Sequence, residues 1–203
     1  MTTMTTHDFG DGLGAVPARR HINPTGEEGG WVADTAHVDD TAWVSPDASV
    51  FGRSKVLKMA CVFGAAKVSG NALVTDAAQV KGQARVSGSA CIHGKARVTG
   101  RARVYGFAAV GGEAVFISGA ARVGGRATVS DYVRVFGTAH VLEDAKVWGE
   151  ARVCGSAIIA GHATVAGVVR VEGDAIVAGE AFLAGNTLVT GRRRAAPLRE
   201  EER

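Results

Sequence analysis

Between Val32 and Val189 a large aliphatic residue returns every sixth position, usually with Ala two places before it and Gly two places after. The phrase is cleanest at Ala84-Arg85-Val86-Ser87-Gly88-Ser89 and is repeated through residues 90–95, 96–101 and 102–107. A unit this short cannot bury a face by itself, so it is stable only as one step in a stack of its own copies. The aliphatic marker keeps phase from Val32 to Val110, gains one extra residue within 113–116, and resumes from Ile117 to Val189, 27 markers in all.

Within each hexad the apolar residues alternate with polar ones, a period of two that sends Ala and Val inward and the intervening residues to water. Gly, replaced by Asp at Asp34, Asp40, Asp76 and Asp131, suits a corner where the backbone turns left-handed. Each hexad therefore predicts a short strand and a turn. A helix is excluded, because its apolar stripe would recur every 3.6 residues. Short strands joined by corners coil into a solenoid whose strands pair with their equivalents above and below.

The Ala-x-Val-x-Gly-x hexads resemble the hexapeptide repeat of left-handed parallel β-helices, in which three hexads make one triangular coil. The Gly is displaced, since in the acyltransferase version it usually follows the aliphatic residue directly. The resemblance implies an all-β, left-handed parallel β-helix of about nine coils, roughly 43 Å long at ~4.8 Å per strand. The opening hexads, Gly29-Gly30-Trp31-Val32, Ala42-Trp43-Val44 and Ala48-Ser49-Val50-Phe51-Gly52, are similar to an uncharacterised group of bacterial, prophage and phage hexapeptide proteins. Some of these are labelled putative transferases by fold alone, which is analogy and not chemistry.

The repeat covers residues 31–191 and is flanked by two segments of other composition. Residues 1–30 are Gly- and Pro-rich, either a disordered leader or, the favoured reading, a partial cap over the first coil built on residues 16–22. Residues 192–203 are charged and read as a solvated tail that leaves the repeat after Gly191. The 46% hydrophobic content is mostly Ala and Val, which fits a slim interior. The 28 glycines follow period six, not the period three of collagen. No basic-then-apolar leader and no run of 18 apolar residues is present, so neither a signal peptide nor a membrane span is expected. Cys61, Cys91 and Cys154 form neither a disulfide framework nor a zinc pattern. They read as reduced thiols of a cytoplasmic or, if phage-encoded, virion-associated protein.

Stacking three hexads per coil aligns residues 18 apart, or 19 across the extra residue. One outward column becomes Trp31, Ser49, Lys67, Arg85, Arg103, Arg122, His140, Ile158 and Ile176. A second becomes Trp43, Cys61, Gln79, Arg97, Phe116, Arg134, Arg152, Arg170 and Leu188. Two basic ladders thus run along the rod: Lys67, Arg85, Arg103 and Arg122 on one face, Arg97, Arg134, Arg152 and Arg170 on the other. They suit a polyanion such as polysaccharide or nucleic acid. The plainer reading is that long stems cover strand edges, with Asp144, Glu150, Glu172 and Asp174 as local partners. Aromatic residues beside the ladders look sparse: Tyr105, Phe107 and Phe136. Toward the C-terminus the outward positions turn apolar, notably at Ile158, Val168, Ile176, Phe182 and Leu188, which predicts self-association as a trimer or dimer.

The acyltransferase resemblance implies a His base between subunits and a loop shaping an acyl-donor pocket. The candidates are His140 and His162, expected on one face in adjacent coils, with His93 elsewhere in the repeat. The single extra residue is too short for such a loop, and no third His joins the pair to hold zinc, so no metal or cofactor is expected. The sequence therefore points first to a non-enzymatic, rigid β-solenoid acting as a structural or interaction module, and the resemblance of its opening hexads implies a phage or prophage association. An acyltransferase and a polyanion-binding rod are the alternatives.

Overall fold

A computed structural model describes residues 5–191 and the backbone of Arg194–Ala195. Every hexad forms a short strand. Each strand pairs in parallel with the strand 18 residues on, as in Arg85↔Arg103, or 19 on across the extra residue, as in Arg103↔Arg122. The chain is a parallel β-solenoid of about nine turns with three sheets of 12, 9 and 9 strands and no helix among the described residues. We call the sheet holding Arg85 face one, that holding Lys55 face two and that holding Arg97 face three.

The interior is a continuous column of Ala and Val. From Ala42 to Val177 the inward positions are almost all fully buried, including Val86 and Val135 at 0% exposure. Burying each Val contributes about 1.5–3 kcal/mol, and two inward slots per hexad multiply that along the rod. Ser54 takes one Ala slot at 0% exposure and donates its hydroxyl to the Phe51 carbonyl at 2.8 Å. That bond offsets the cost of a buried hydroxyl.

The corners take a left-handed turn. Gly88 has φ +69°, and a Cβ there would lie 2.8 Å from the Gly106 backbone in the next coil. Residues other than Gly and Asp also take the corner. Lys58 and Glu143 also adopt positive φ, alongside Asp76 and Asp131, whereas Asp34 and Asp40 in the first coil do not. Three of these side chains reach one coil up: Asp76, Asp131 and Glu143 accept from the backbone N–H of Gly94, Gly149 and Gly161 at 3.0, 3.0 and 2.6 Å. An anionic acceptor bonded to the neighbouring coil offsets the roughly 1–3 kcal/mol of left-handed strain.

Three strands close the lower end: β1 (Thr6–Asp8), β2 (Ala15–Ile22) and β3 (Glu28–Ala33). Residues 16–22 lie in β2, which pairs antiparallel with β3, the first strand of face one. The strands β4 (His37–Val38) and β5 (Trp43–Val44) begin faces two and three. Asn23 covers the β5 edge: its Oδ1 accepts from Val44 N at 2.9 Å and its Nδ2 donates to Val44 O at 3.2 Å. His21 Nε2 lies 3.0 Å from the Ala42 carbonyl. One side-chain amide thus stands in for a missing strand on an otherwise open edge. Gly29-Gly30 passes beneath this coil, where a Cβ on Gly30 would sit 2.2 Å from Ala48 O.

At the upper end the stack continues past Gly191. Arg194–Ala195 pairs in parallel with Ile176–Val177 and adds a strand to face one. The segment expected to leave the repeat after Gly191 therefore supplies one more hexad step, and its remaining residues lie outside the described ones.

Candidate polyanion interface

The parallel register sets the outward residues of successive coils directly opposite one another, ~4.8 Å apart between strands. On face one, Lys67, Arg85, Arg103, Arg122 and His140 form one unbroken column. On face three, Arg97, Phe116, Arg134, Arg152 and Arg170 do the same. The seven arginines are exposed.

The acids expected to neutralise them do not. The ion pairs among the described residues are Arg19–Asp34, Arg20–Glu28, His37–Asp39, Lys58–Asp76 and Lys95–Glu113. None includes a ladder arginine, and Asp144, Glu150, Glu172 and Asp174 pair with none of them. Like charges facing each other across strands repel by just under ~1 kcal/mol per pair in water at this spacing. The buried Val column outweighs that easily, so the fold tolerates the ladders without needing them. Lys67 is different: its Nζ donates to the Phe9 carbonyl at 2.8 Å, which ties the foot of the face-one ladder to the N-terminal strand. Phe9 in turn is buried against Phe51, ring centroids 4.8 Å apart.

The extra residue has a structural consequence the sequence did not signal. Lys95, Ala114 and Tyr132 each donate their backbone N–H to the corner residue one coil up, so Ala114 holds the regular position. Glu113 is the inserted residue, and its carboxylate turns back to Lys95 Nζ at 2.6 Å. The small Ala114 and the displaced Glu113 leave a recess of about 410 Å³ beside Arg97, Phe116 and Arg134. A second, of about 270 Å³, lies beside Tyr132, Arg134, Glu150 and Arg152. On face one, Arg85, Arg103, Tyr105 and Arg122 border a recess of about 340 Å³.

The histidines do not converge. His140 lies on a face-one strand between Arg122 and Ile158. His162 is exposed at the corner after Ile158–Ile159, so the two share neither a column nor a strand. Burial, then the nearby Arg122, pushes the His140 pKa down. That leaves a neutral ring at pH 7, but no carboxylate orients it among the described residues. His93 packs its ring over Gly111. The recesses beside the ladders and the one beside Phe9 and Phe51 contain no histidine. No cluster of three or more His, Cys, Asp or Glu suited to a metal occurs among the described residues. Cys61, Cys91 and Cys154 are free, and burial raises each thiol pKa.

The apolar residues of the last coils also separate. Ile158 and Ile176 lie on face one, Phe182 on face two, Leu188 on face three, and Val168 at a corner. They do not form one lateral patch. Phe182 and Leu188 come together only in sharing the final coil.

A family described as the YdcK beta solenoid repeat matches residues 66–82, close to one full coil. The chain is a β-solenoid repeat protein. No match to a curated protein was found. The matched stretch holds three inward Ala–Val pairs and the corners Gly70, Asp76 and Gly82. It also carries Lys67 but none of the ladder arginines. No helix among the described residues is long and apolar enough to cross a membrane.

Proposed function

We propose that this β-solenoid is a rigid, non-enzymatic interaction module that holds a linear polyanion along its arginine ladders. One observation carries the reading. Arg85, Arg103 and Arg122 on face one, and Arg134, Arg152 and Arg170 on face three, stand in register on successive strands with no carboxylate of the described residues paired to them. Evenly spaced cations on a stiff frame release counterions from a polyanion without any cost of ordering the site. The acyltransferase alternative draws no comparable support, since His140 and His162 share no recess. The likeness of the opening hexads to phage and prophage proteins makes a virion component the first partner to seek.

The test is binding of labelled heparin and of a labelled oligonucleotide across a salt series. Affinity is expected to fall steeply with salt. For the single strand, replacing Arg134, Arg152 and Arg170 by Ser should flatten the log–log slope by about 2. A slope near zero for the unmodified chain would remove the reading.

A further inference from the structure

The two ladders are not equivalent, and the difference lies in their aromatic neighbours. On face one, Tyr105 lies across the next coil: a Cβ on Gly124 would sit 2.3 Å from its ring. Its flat face is thus already packed against the rod. On face three the extra residue shifts Phe116 into the ladder itself, between Arg97 and Arg134. Tyr132 stands 54% exposed at the adjoining corner, and Phe136 is exposed two residues beyond Arg134. The recesses at Phe116 and at Tyr132 share Arg134 as a common wall. Each also contains one acid, Glu113 in the first and Glu150 in the second.

Resting on the polyanion reading above, we infer that the stretch of face three from Arg97 to Arg152 binds single-stranded nucleic acid, with bases against Phe116 and Tyr132 and phosphates on Arg97, Arg134 and Arg152. Three features select this class of polyanion. Alternating rings and cations match a chain that carries one flat ring and one charge per residue. An acidic glycan offers the charge without the π-face. A duplex offers phosphates at ~3.4 Å rise along each strand, with its bases turned inward, whereas coils repeat at ~4.8 Å and accept only splayed bases. The carboxylates have a use in this setting as well. Glu113 and Glu150 would repel an all-anionic ligand, but each is placed to accept a hydrogen bond from a base N–H such as thymine N3–H.

The experiment uses the full chain and measures anisotropy of a labelled 12-residue oligodeoxythymidylate, its duplex with oligodeoxyadenylate, and a labelled heparin fragment. Phe116→Ala and Tyr132→Ala should each raise the oligonucleotide Kd about tenfold, with heparin affinity unchanged. Phe116→Leu, which keeps apolar bulk under the strand, should lose as much as the Ala variant. Tyr132→Phe should bind like the parent, and the duplex should bind more weakly than the single strand. Heparin binding that persists while the aromatic variants leave the oligonucleotide Kd unmoved would overturn this inference alone. Heparin affinity falling equally in those variants would do the same, because the rings would then serve any polyanion. Failure of every ligand to bind would overturn the polyanion reading and this inference with it.

Discussion

An inward Val in this rod has nowhere to go. Val86 and Val135 are fully buried inside a slim column of Ala and Val, and a carboxylate there would face neither water nor a partner. Val86→Asp or Val135→Asp should abolish the cooperative melt seen by circular dichroism. The corner glycines are constrained twice, by φ and by the coil above. Gly106 has φ +73°, and its Cβ would meet the Gly125 backbone at 2.7 Å. Gly106→Ala should therefore cost more than the roughly 1 kcal/mol of left-handed strain alone, and its melting temperature should fall further than that of Glu143→Ala, where a Cβ is already accommodated. Titration gives another residue-level expectation. The Lys58 backbone N–H holds the Asp39 pKa down, and the Lys58 ammonium does so for Asp76. Their stabilisation is present above the ordinary carboxylate range near 3.8 and is lost as pH falls through their lower folded values. Burial depresses the pKa of His7 and His140, so the unfolded chain takes up protons first as pH drops below about 6.5. Melting temperature should decline in that window, and His7→Gln/His140→Gln should flatten it. Asp39→Asn/Asp76→Asn should flatten only the acid limb.

At the level of the element, a two-residue strand owes its existence to the strands above and below it, and an end strand has lost one of them. The β5 edge recovers that loss through Asn23, which both accepts from and donates to Val44. Asn23→Leu leaves those two backbone groups without partners and should cost about 1–3 kcal/mol, read as a lower midpoint in urea with an unchanged slope. The arginine ladders behave oppositely. Arg85 is exposed and makes no ion pair among the described residues, so Arg85→Ser should leave the melting temperature within about a degree. The period-two alternation in each hexad made strands and corners legible from the sequence, and the resemblance to three-hexad coils added the register of both ladders. The bulge at Glu113 was legible as a slip in phase, but not the recess it opens, because that depends on Ala114 lying between Lys95 and Tyr132 in neighbouring coils. Lys58 and Glu143 went unread as corner residues for a similar reason. Their strain is offset by groups a full coil away: the carboxylates of Asp39 and Asp76 for Lys58, and the Gly161 N–H for Glu143.

As a whole, the rod is closed at its lower end, and its last fully described coil carries exposed apolar side chains. β2, Asn23 and His21 cover the lower coil, while Phe182 and Leu188 are 53% and 60% exposed in the last one. The expected self-association is a prediction that rests on Phe182 and Leu188, because Ile158, Val168 and Ile176 do not join them in one lateral patch. Light scattering should show a concentration-dependent dimer that Phe182→Ser/Leu188→Ser returns to monomer, and a parent chain that stays monomeric at high micromolar concentration would refute it. The ladders also set a global salt response. Added salt screens their mutual repulsion, largely beyond ~10 Å at 0.1 M and in part between adjacent strands, so moderate salt should slightly raise the melting temperature of the free protein while weakening its hold on a polyanion.

The sequence by itself determined short strands and corners, because a six-residue period leaves one inward pattern and one place for each turn, and its resemblance to coils of three hexads implied the three faces and the register of the columns. The tertiary structure alone decided which charges stay unpaired, which rings remain open to a ligand, and that the two histidines stand apart. Those outcomes turn on how long side chains reach across coils, and a repeat that fixes only where each side chain begins says nothing of where its end comes to rest.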